Sequence, residues 1–156
     1  MRELKKIIWT VSMNIKTATN VAPALIAAYN ATRYRVFADE TFDLRIGQKS
    51  NQLSSLYQKH DCLSALLITA WNPYSAVTSE GDNRAAQDRL ESKLLAGSVP
   101  FITAIGQDAK LKWPGEESVL ALGLSLDAAK SLGIEFLQNA ILWSDQDAIP
   151  KLVMLR

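Results

Sequence analysis

Residues 62–73, CLSALLITAWNP, form a short and continuous apolar run that decides the fold. A run of this length, with apolar residues at odd and even positions alike, predicts a strand that is buried on both faces of a sheet. Pro73 has no backbone N–H for the ladder and therefore ends the strand. Trp71 and Asn72 then lie at its carboxyl end, where a chain leaves the sheet and where functional sites are often built.

The composition indicates one globular domain and excludes several partners. The chain has 156 residues, of which 48% are hydrophobic, so it can bury one core of ordinary single-domain size. Its formal net charge is +1, and it has no cluster of basic residues that could bind along a phosphate backbone, so we expect no nucleic-acid partner. No apolar run approaches the length of a membrane span. The single cysteine excludes an intramolecular disulfide and is typical of a reducing compartment, so we expect a cytoplasmic protein.

The amino-terminal residues 1–13 are expected to be a poorly anchored, disordered extension. Basic residues precede an apolar part there, but that part is shorter than the hydrophobic region of a signal peptide. Met13 is a candidate for the natural start. Residues 14–156 are expected to form a single α+β domain, because they contain no internal repeat, low-complexity tract or linker.

The sequence before the central strand predicts a helix, a hairpin and a second helix. Asn20 is a suitable N-cap for a first helix that runs through Tyr29. The alternation of apolar and polar residues over 34–46 predicts the hairpin. Ser50 is a suitable N-cap for the second helix, which is expected to end near residue 60.

The central strand is followed by a helix, two strands, a helix and a further strand. The helices are expected to begin at Ser79 or Asp82 and at Ser125, and to stop at Gly97 and Gly133. The strands are expected over residues 99–105, 117–124 and 139–143, with a last edge strand over 151–155. This order is the split βαβ arrangement of ferredoxin-like folds, with an added amino-terminal helix, hairpin and helix. Right-handed crossovers then place the central strand between the 117–124 and 139–143 strands, antiparallel to both.

That topology brings polar side chains from several elements to one end of the central strand. Asn83 and Gln87 are four residues apart in the helix that follows, on the face that carries its leucines. A buried amide without a hydrogen bond costs about 1–3 kcal/mol, so both amides need partners. Arg84 is expected at the rim, and Glu117 on a neighbouring strand. The candidate site is therefore one contiguous cluster: Trp71, Asn72, Asn83, Arg84, Gln87 and Glu117.

The same residues occur in a pattern that resembles a known family. The pattern consists of Thr69-Ala70-Trp71-Asn72-Pro73, Asn83 with Arg84 and Gln87, Glu116-Glu117-Ser118, and Gln138-Asn139-Ala140 with Trp143. Over about residues 33 to 154 the chain resembles an uncharacterised bacterial family known as domain of unknown function 3293. The resemblance implies a type of domain and not a reaction.

The usual catalytic and cofactor motifs are absent from the sequence. With one histidine, His60, and one cysteine, Cys62, metal sites of the usual ligand count cannot form, so we expect no metal. We also expect no cofactor, because the glycines are scattered singly and build neither a phosphate loop nor a dinucleotide-binding loop. Glu116 and Glu117 point to opposite faces of a strand and therefore do not form a carboxylate pair.

The leading hypothesis is a non-catalytic domain that binds a small polar or anionic molecule. Arg84 and the amides of the helix amino terminus would meet negative charge. The amide side chains of the cluster would pair with donors and acceptors, and Trp71 would stack on the ligand.

Two other hypotheses fit the same residues. In a small hydrolase or transferase-like enzyme, Glu117 would act as general base, with Arg84 or helix amides holding an anion. In a structural or protein-interaction module, the cluster would be an internal hydrogen-bond network in which every amide is satisfied by the protein. A pocket at the cluster favours the first two hypotheses, and a closed, fully paired network favours the third. The sequence leaves the oligomeric state open.

Overall fold

The computed structural model describes residues 19–108 and 115–156, so the predicted extension over residues 1–13 lies outside the described residues. Its helices are α1 (Pro23–Ala31), α2 (Asn51–His60), α3 (Glu80–Ala96) and α4 (Leu126–Glu135). Its strands are β1 (Arg33–Val36), β2 (Phe42–Leu44), β3 (Ala65–Ile68), β4 (Phe101–Gln107), β5 (Glu116–Leu122), β6 (Ala140–Ser144) and β7 (Lys151–Met154). The predicted α+β class is confirmed.

The strands form one seven-stranded sheet in the order β2-β1-β4-β5-β3-β6-β7, and all neighbours are antiparallel. Leu67 of β3 pairs with Leu120 of β5 on one side and with Leu142 of β6 on the other. The predicted internal position of the central strand is therefore correct. All four of its residues are buried, because β3 has a neighbouring strand on each side and helices pack on both faces of the sheet.

Strand β3 is shorter than the sequence suggested. The apolar run over residues 62–73 predicted a strand that reaches Trp71 and Asn72, but the ladder covers Ala65–Ile68, and Leu63 is 67% exposed. Beyond Ile68, side chains replace the neighbouring strands as partners of the backbone. The N–H of Ala70 donates to Gln87 Oε1 at 3.0 Å, and the N–H of Trp71 donates to Thr69 Oγ1 at 3.1 Å.

Helices cover both faces of the sheet and divide the core in two. On the face that we call the α1 face, α2 packs Leu53, Leu56 and Tyr57 against strand residues such as Leu67 and Leu120. On the opposite face, the α3 face, α3 and α4 pack against alternate residues of the same strands. This second cluster includes Leu66, Ile68, Leu90, Leu94, Val119, Ala129 and Leu132.

The predicted helix caps are correct where a serine supplies them. Ser50, Ser79 and Ser125 cap α2, α3 and α4, each accepting a hydrogen bond from the backbone N–H three residues on. Gly97 is the C-cap of α3, as predicted. The strands after α3 lie within two residues of their expected bounds.

Two predicted helix ends are wrong. Asn20 does not cap α1, which begins at Pro23 after an extended Ala22, because the residue before a proline is disfavoured in helical conformation. Gly133 does not end α4, which continues to Glu135. A Cβ at Gly133 would lie 2.5 Å from a methyl group of Leu155, so this glycine permits close packing and does not terminate the helix.

Candidate functional site

A cavity of about 720 Å³ lies between α1 and the α1 face of the sheet, beside the end of β3. Helix α1 has no buried residue, and its inner residues Leu25, Ala28 and Tyr29 form the roof of the cavity. Small residues such as Gly106 and Ser118 form part of the floor. Protein interiors are otherwise close-packed, so a space of this size is a candidate ligand site.

Three neighbouring strands place a phenol, a glycine and a carboxyl group in one row of the cavity. Tyr34 of β1 pairs with Gly106 of β4, and Gly106 pairs with Glu116 of β5, so the three positions share the α1 face. Because Gly106 has no side chain, space remains between the phenol and the carboxyl group. A Cβ at Gly106 would lie 3.6 Å from the Tyr34 ring.

Tyr34 is a neutral donor at the cavity wall. Its hydroxyl donates to the backbone oxygen of Tyr29 at 3.0 Å, which ties β1 to α1. Burial raises the pKa of Tyr34, and the neighbouring Tyr29 and Glu116 raise this pKa further. The phenol therefore carries no charge at neutral pH.

Glu116 places a carboxyl group in the cavity. Its Oε1 accepts a hydrogen bond from Asn72 Nδ2 at 3.0 Å. Burial raises the pKa of Glu116, and the hydrogen bond from Asn72 offsets part of that rise. Among the described residues, the only charged side chains that line the cavity are those of Glu116 and Glu80, and no lysine or arginine does so.

Asn72 and Asn83 form a reciprocal pair at the edge of the cavity. The N–H of Asn72 donates to Asn83 Oδ1 at 2.8 Å, and Asn83 Nδ2 donates to Asn72 Oδ1 at 2.9 Å. The N–H of Thr78 also donates to Asn72 Oδ1, at 3.1 Å. Asn72 has φ of 46°, a left-handed conformation that asparagine tolerates better than most residues.

Gln87 and Trp71 are anchored at the end of β3 but each keeps one unpaired donor. Gln87 is 1% exposed and accepts the N–H of Ala70. The side chain of Trp71 lines the cavity. Gln87 Nε2 and Trp71 Nε1 are buried and meet no acceptor in the described part of the chain. Neither atom is accessible from the cavity, so neither can contact a ligand there without a rearrangement.

Arg84 and Glu117 form an ion pair on the α3 face, away from the cavity. Both terminal nitrogens of Arg84 donate to the Glu117 carboxylate, and the two side chains are 51% and 38% exposed. Glu117 and its neighbour Glu116 point to opposite faces, as predicted.

The six predicted site residues therefore occupy one end of β3 but divide between its two sides. Trp71, Asn72 and Asn83 border the cavity, whereas the other three do not. The two groups are joined through Thr69, whose hydroxyl donates to the backbone oxygen of Glu117 and accepts the N–H of Trp71. Their proposed roles in binding stay predictions.

Sequence reasoning missed the roof and the floor of the cavity. Tyr29, Tyr34 and Gly106 were not candidates, because the register across β1, β4 and β5 and the position of α1 cannot be read from local patterns. One signal was present. A glycine inside an apolar strand often marks a place where another group approaches the backbone, and Gly106 is such a glycine.

Two further properties concern residues 19–108 and 115–156. Within these ranges, no three or more His, Cys, Asp or Glu side chains are grouped so that they could hold a metal ion. None of the helices there has both the length and the hydropathy that crossing a bilayer requires.

Residues 68–141 match the sequence model of a family described as Protein of unknown function (DUF3293). The resemblance to DUF3293 is confirmed. The segment matched by DUF3293 begins in β3 and ends in β6, so it contains all six predicted site residues and Glu116. Helix α1 and strand β1, which contribute the roof and the Tyr34 wall of the cavity, lie before the matched segment. No curated protein and no solved structure matches the chain.

Proposed function

We propose that this protein is a small-molecule-binding domain whose ligand occupies the cavity between α1 and the sheet. The observation that carries the proposal is the cavity itself, since about 720 Å³ lies within the range of small-molecule pockets, roughly 300–1,000 Å³. Its walls are mainly apolar, and its polar groups include Asn72, Ser118 and Glu116. Apolar walls with a few fixed polar groups are typical of ligand sites.

The lining favours a ligand with a neutral or cationic polar group over an anion. The sequence had suggested an anion held by Arg84, but Arg84 is paired with Glu117 on the opposite face. In the described lining, carboxylates are the only charged groups. A carboxylate on the ligand would meet like charge there, which disfavours the ionised form.

A catalytic role is the second candidate, and one observation favours it. Burial raises the pKa of Glu116 inside a cavity that has room for a substrate. Carboxyl groups with a raised pKa act as general acids or bases in many active sites. An enzyme built on this cavity would use Glu116 and not Glu117, which lies in an ion pair outside it.

The hypothesis of a purely structural network applies to part of the cluster. The carbonyl and amino groups of Asn83 are both hydrogen-bonded within the protein. A structural role for this pair does not account for the cavity beside it. Binding by the cavity and support by the amide pair are therefore compatible functions of neighbouring residues.

We also propose that residues 65–144 form a split βαβ unit of the ferredoxin-like kind. The support is the strand order β4-β5-β3-β6 with α3 and α4 on one face. In this assignment α1, the β1–β2 hairpin and α2 are additions to the unit, and the additions supply one wall of the cavity.

The proposal can be tested with N-phenyl-1-naphthylamine, a neutral apolar dye that fluoresces when it leaves water. The wild-type protein is expected to bind the dye. Ala28→Phe places an aromatic side chain in the cavity and should abolish this binding. Ala27→Phe, at an exposed position of the same helix that is not part of the lining, is the matched control and should bind as the wild type does.

Thermal melts of both variants show whether the fold is retained. Equal dye binding by the wild type and by a folded Ala28→Phe variant would place the dye elsewhere. The proposed function would be contradicted if the wild type bound neither this dye nor any of three smaller ligands: 4-phenylbutylamine, 4-phenylbutanol and 4-phenylbutyrate.

A further inference from the structure

Resting on the proposed function, we infer that the cavity selects an organic amine, whose apolar body fills the space beneath α1 and whose ammonium group pairs with Glu116. Four observations support the inference: a carboxylate oxygen that has no partner among the described residues, an open approach to it, the negative charge of the described lining, and the aromatic rings around it.

One oxygen of the Glu116 carboxyl group is fixed by a hydrogen bond, and the other is available to accept a hydrogen bond from a ligand. Asn72 Nδ2 donates to Oε1 at 3.0 Å, and Asn72 is itself fixed by Asn83. Oε2 has no hydrogen-bond partner among the described residues. A group in the cavity can therefore donate to Oε2 without displacing any of these contacts.

The absence of a side chain at Gly106 opens a path to that oxygen. Gly106 lies between Tyr34 and Glu116 in the row of three strands, and all three residues line the cavity. A side chain at this position would project between the phenol and the carboxyl group. The head group of a ligand can occupy the same space.

The charge of the lining selects a cation. Glu116 and Glu80 contribute negative charge, and no described lysine or arginine of the lining compensates it. A partly buried carboxylate is stabilised when an opposite charge pairs with it. Burial raises the pKa of Glu116, as expected for a carboxyl group that has no lysine or arginine beside it in the described lining. A neutral donor would leave the charge unpaired, whereas an ammonium group would neutralise it.

The aromatic residues of the lining support the same choice. Tyr29, Tyr34 and Trp71 contribute side chains to the walls. The faces of aromatic rings attract cations, and recognition of amines by aromatic walls is a recurrent use of this interaction. Aliphatic side chains that suit a hydrocarbon body also line the cavity: Leu25, Ala28, Leu67, Leu142 and Leu152.

The test uses three ligands with one skeleton, 4-phenylbutylamine, 4-phenylbutanol and 4-phenylbutyrate, each measured directly by isothermal titration calorimetry without the dye. We expect the amine to bind the wild type about tenfold or more tightly than the alcohol, and the carboxylate to bind most weakly. Glu116→Gln should weaken amine binding about 10- to 100-fold, the usual effect of losing a hydrogen bond to a charged group. Binding of the alcohol should change by less than about threefold.

Two further variants separate the role of Glu116 from general charge and from folding. Glu80→Gln removes the same charge at an exposed position of the lining, and its effect on amine binding should be smaller than that of Glu116→Gln. Gly106→Val leaves the carboxylate intact but fills the space in front of it, so it should also abolish the preference for the amine. Gly106→Val therefore tests the inference if Glu116→Gln does not fold.

The results distinguish this inference from the proposed function. If dye and alcohol bind but the amine is not preferred, or if its preference survives both Glu116→Gln and Gly106→Val in folded proteins, the amine assignment is wrong and the binding function stands. If neither the dye nor any of the three ligands binds the wild type, both are overturned.

Discussion

Asn83 on α3 and Asn72 at the end of β3 hold each other through two hydrogen bonds, of 2.8 and 2.9 Å. Asn83 is 3% exposed, and both bonds are partly buried. The side-chain Nδ2 of Asn72 donates a hydrogen bond to Glu116 Oε1 on the α1 face. Through this pair, a helix on one face of the sheet fixes the carboxyl group that lies in the cavity on the other.

Replacing Asn83 by alanine is expected to lower the free energy of unfolding by about 1–3 kcal/mol, because it removes the acceptor of a backbone N–H that lies away from water. Asn51→Ala, at an exposed position of the first turn of α2, is the control and should change stability by less than about 0.5 kcal/mol. Urea denaturation measures both values. Equal effects of the two substitutions would show that the Asn72–Asn83 pair contributes little.

Helical periodicity made the burial of Asn83 and Gln87 predictable, because it fixes which residues share a face with the leucines of α3. The internal position of β3 was predictable for a similar reason, since apolar residues on both faces need cover on both sides. These inferences depend on one element at a time, and local sequence is enough for them.

The cavity was not predictable, because it depends on how separate elements meet. The row of Tyr34, Gly106 and Glu116 depends on the pairing of β1 with β4, which is far from it in the chain, and on the register between β4 and β5. Our prediction from the sequence assigned the role of base or ligand contact to Glu117, although its neighbour Glu116 faces the cavity. The alternation of side chains along a strand places the two glutamates on opposite faces of the sheet, but it does not indicate which face carries a site.

Leu66 and Leu67 are neighbours in β3 that test the two sides of the sheet. Leu66 is 0% exposed in the close-packed core beneath α3 and α4, whereas Leu67 borders the cavity. Leu66→Ala would create a new cavity in a close-packed core, and the cost of such a deletion grows with the volume of the new cavity. Leu67→Ala would only enlarge a space that already exists. We therefore expect a loss of unfolding free energy of about 3–5 kcal/mol for Leu66→Ala and about 2 kcal/mol for Leu67→Ala. Chemical denaturation of the two variants provides the comparison. A larger loss for Leu67→Ala would indicate that the α1 side is packed more tightly than the structure shows.

The ion pair of Arg84 with Glu117 is expected to contribute little to stability. Both side chains are substantially exposed, and solvent screening reduces the value of such pairs to about 0–1 kcal/mol. Arg84→Ala should therefore melt within a few degrees of the wild type and bind the dye unchanged. Loss of dye binding by a folded Arg84→Ala variant would show that Arg84 contributes to the cavity, contrary to its place in the ion pair with Glu117.

Two helical glycines should respond to alanine in opposite directions. At Gly133, a Cβ would lie 2.5 Å from Leu155 Cδ1 and 2.8 Å from Ile141 Cγ2, so Gly133→Ala should destabilise the protein by about 1–3 kcal/mol. At Gly81, no atom lies within 4 Å of the position of a Cβ, so Gly81→Ala should stabilise it by up to about 1 kcal/mol. Thermal melts report both shifts. If Gly133→Ala were neutral, β7 would not be held against α4 as closely as the structure shows.

Glu116→Gln is expected to stabilise the protein at neutral pH, by an amount that shrinks as the pH falls. Burial raises the pKa of Glu116 in the folded state above its ordinary value of 4.5. Between pH 4.5 and the folded-state pKa, the folded state therefore binds more protons at Glu116 than the unfolded state does. The stability that protonated Glu116 contributes is fully present below pH 4.5 and is lost as the pH rises through the folded-state pKa. Glutamine keeps an oxygen for Asn72 Nδ2 and carries no charge at any pH, so it avoids this loss.

The measurement is the free energy of unfolding of wild type and variant in urea at several pH values between 7 and 4.5, the ordinary pKa of the group. The difference between the two proteins isolates Glu116, because all other titrating groups are shared. The pKa values of Asp43 and Asp147 are lowered below 3.8, so these two groups titrate below the pH range of the measurement. A difference that is constant with pH would show that Glu116 has the same proton affinity in both states. A variant less stable than the wild type at pH 7, with the gap closing toward acid pH, would mean that the carboxylate is favoured by a partner in the fold and would contradict an unpaired Oε2.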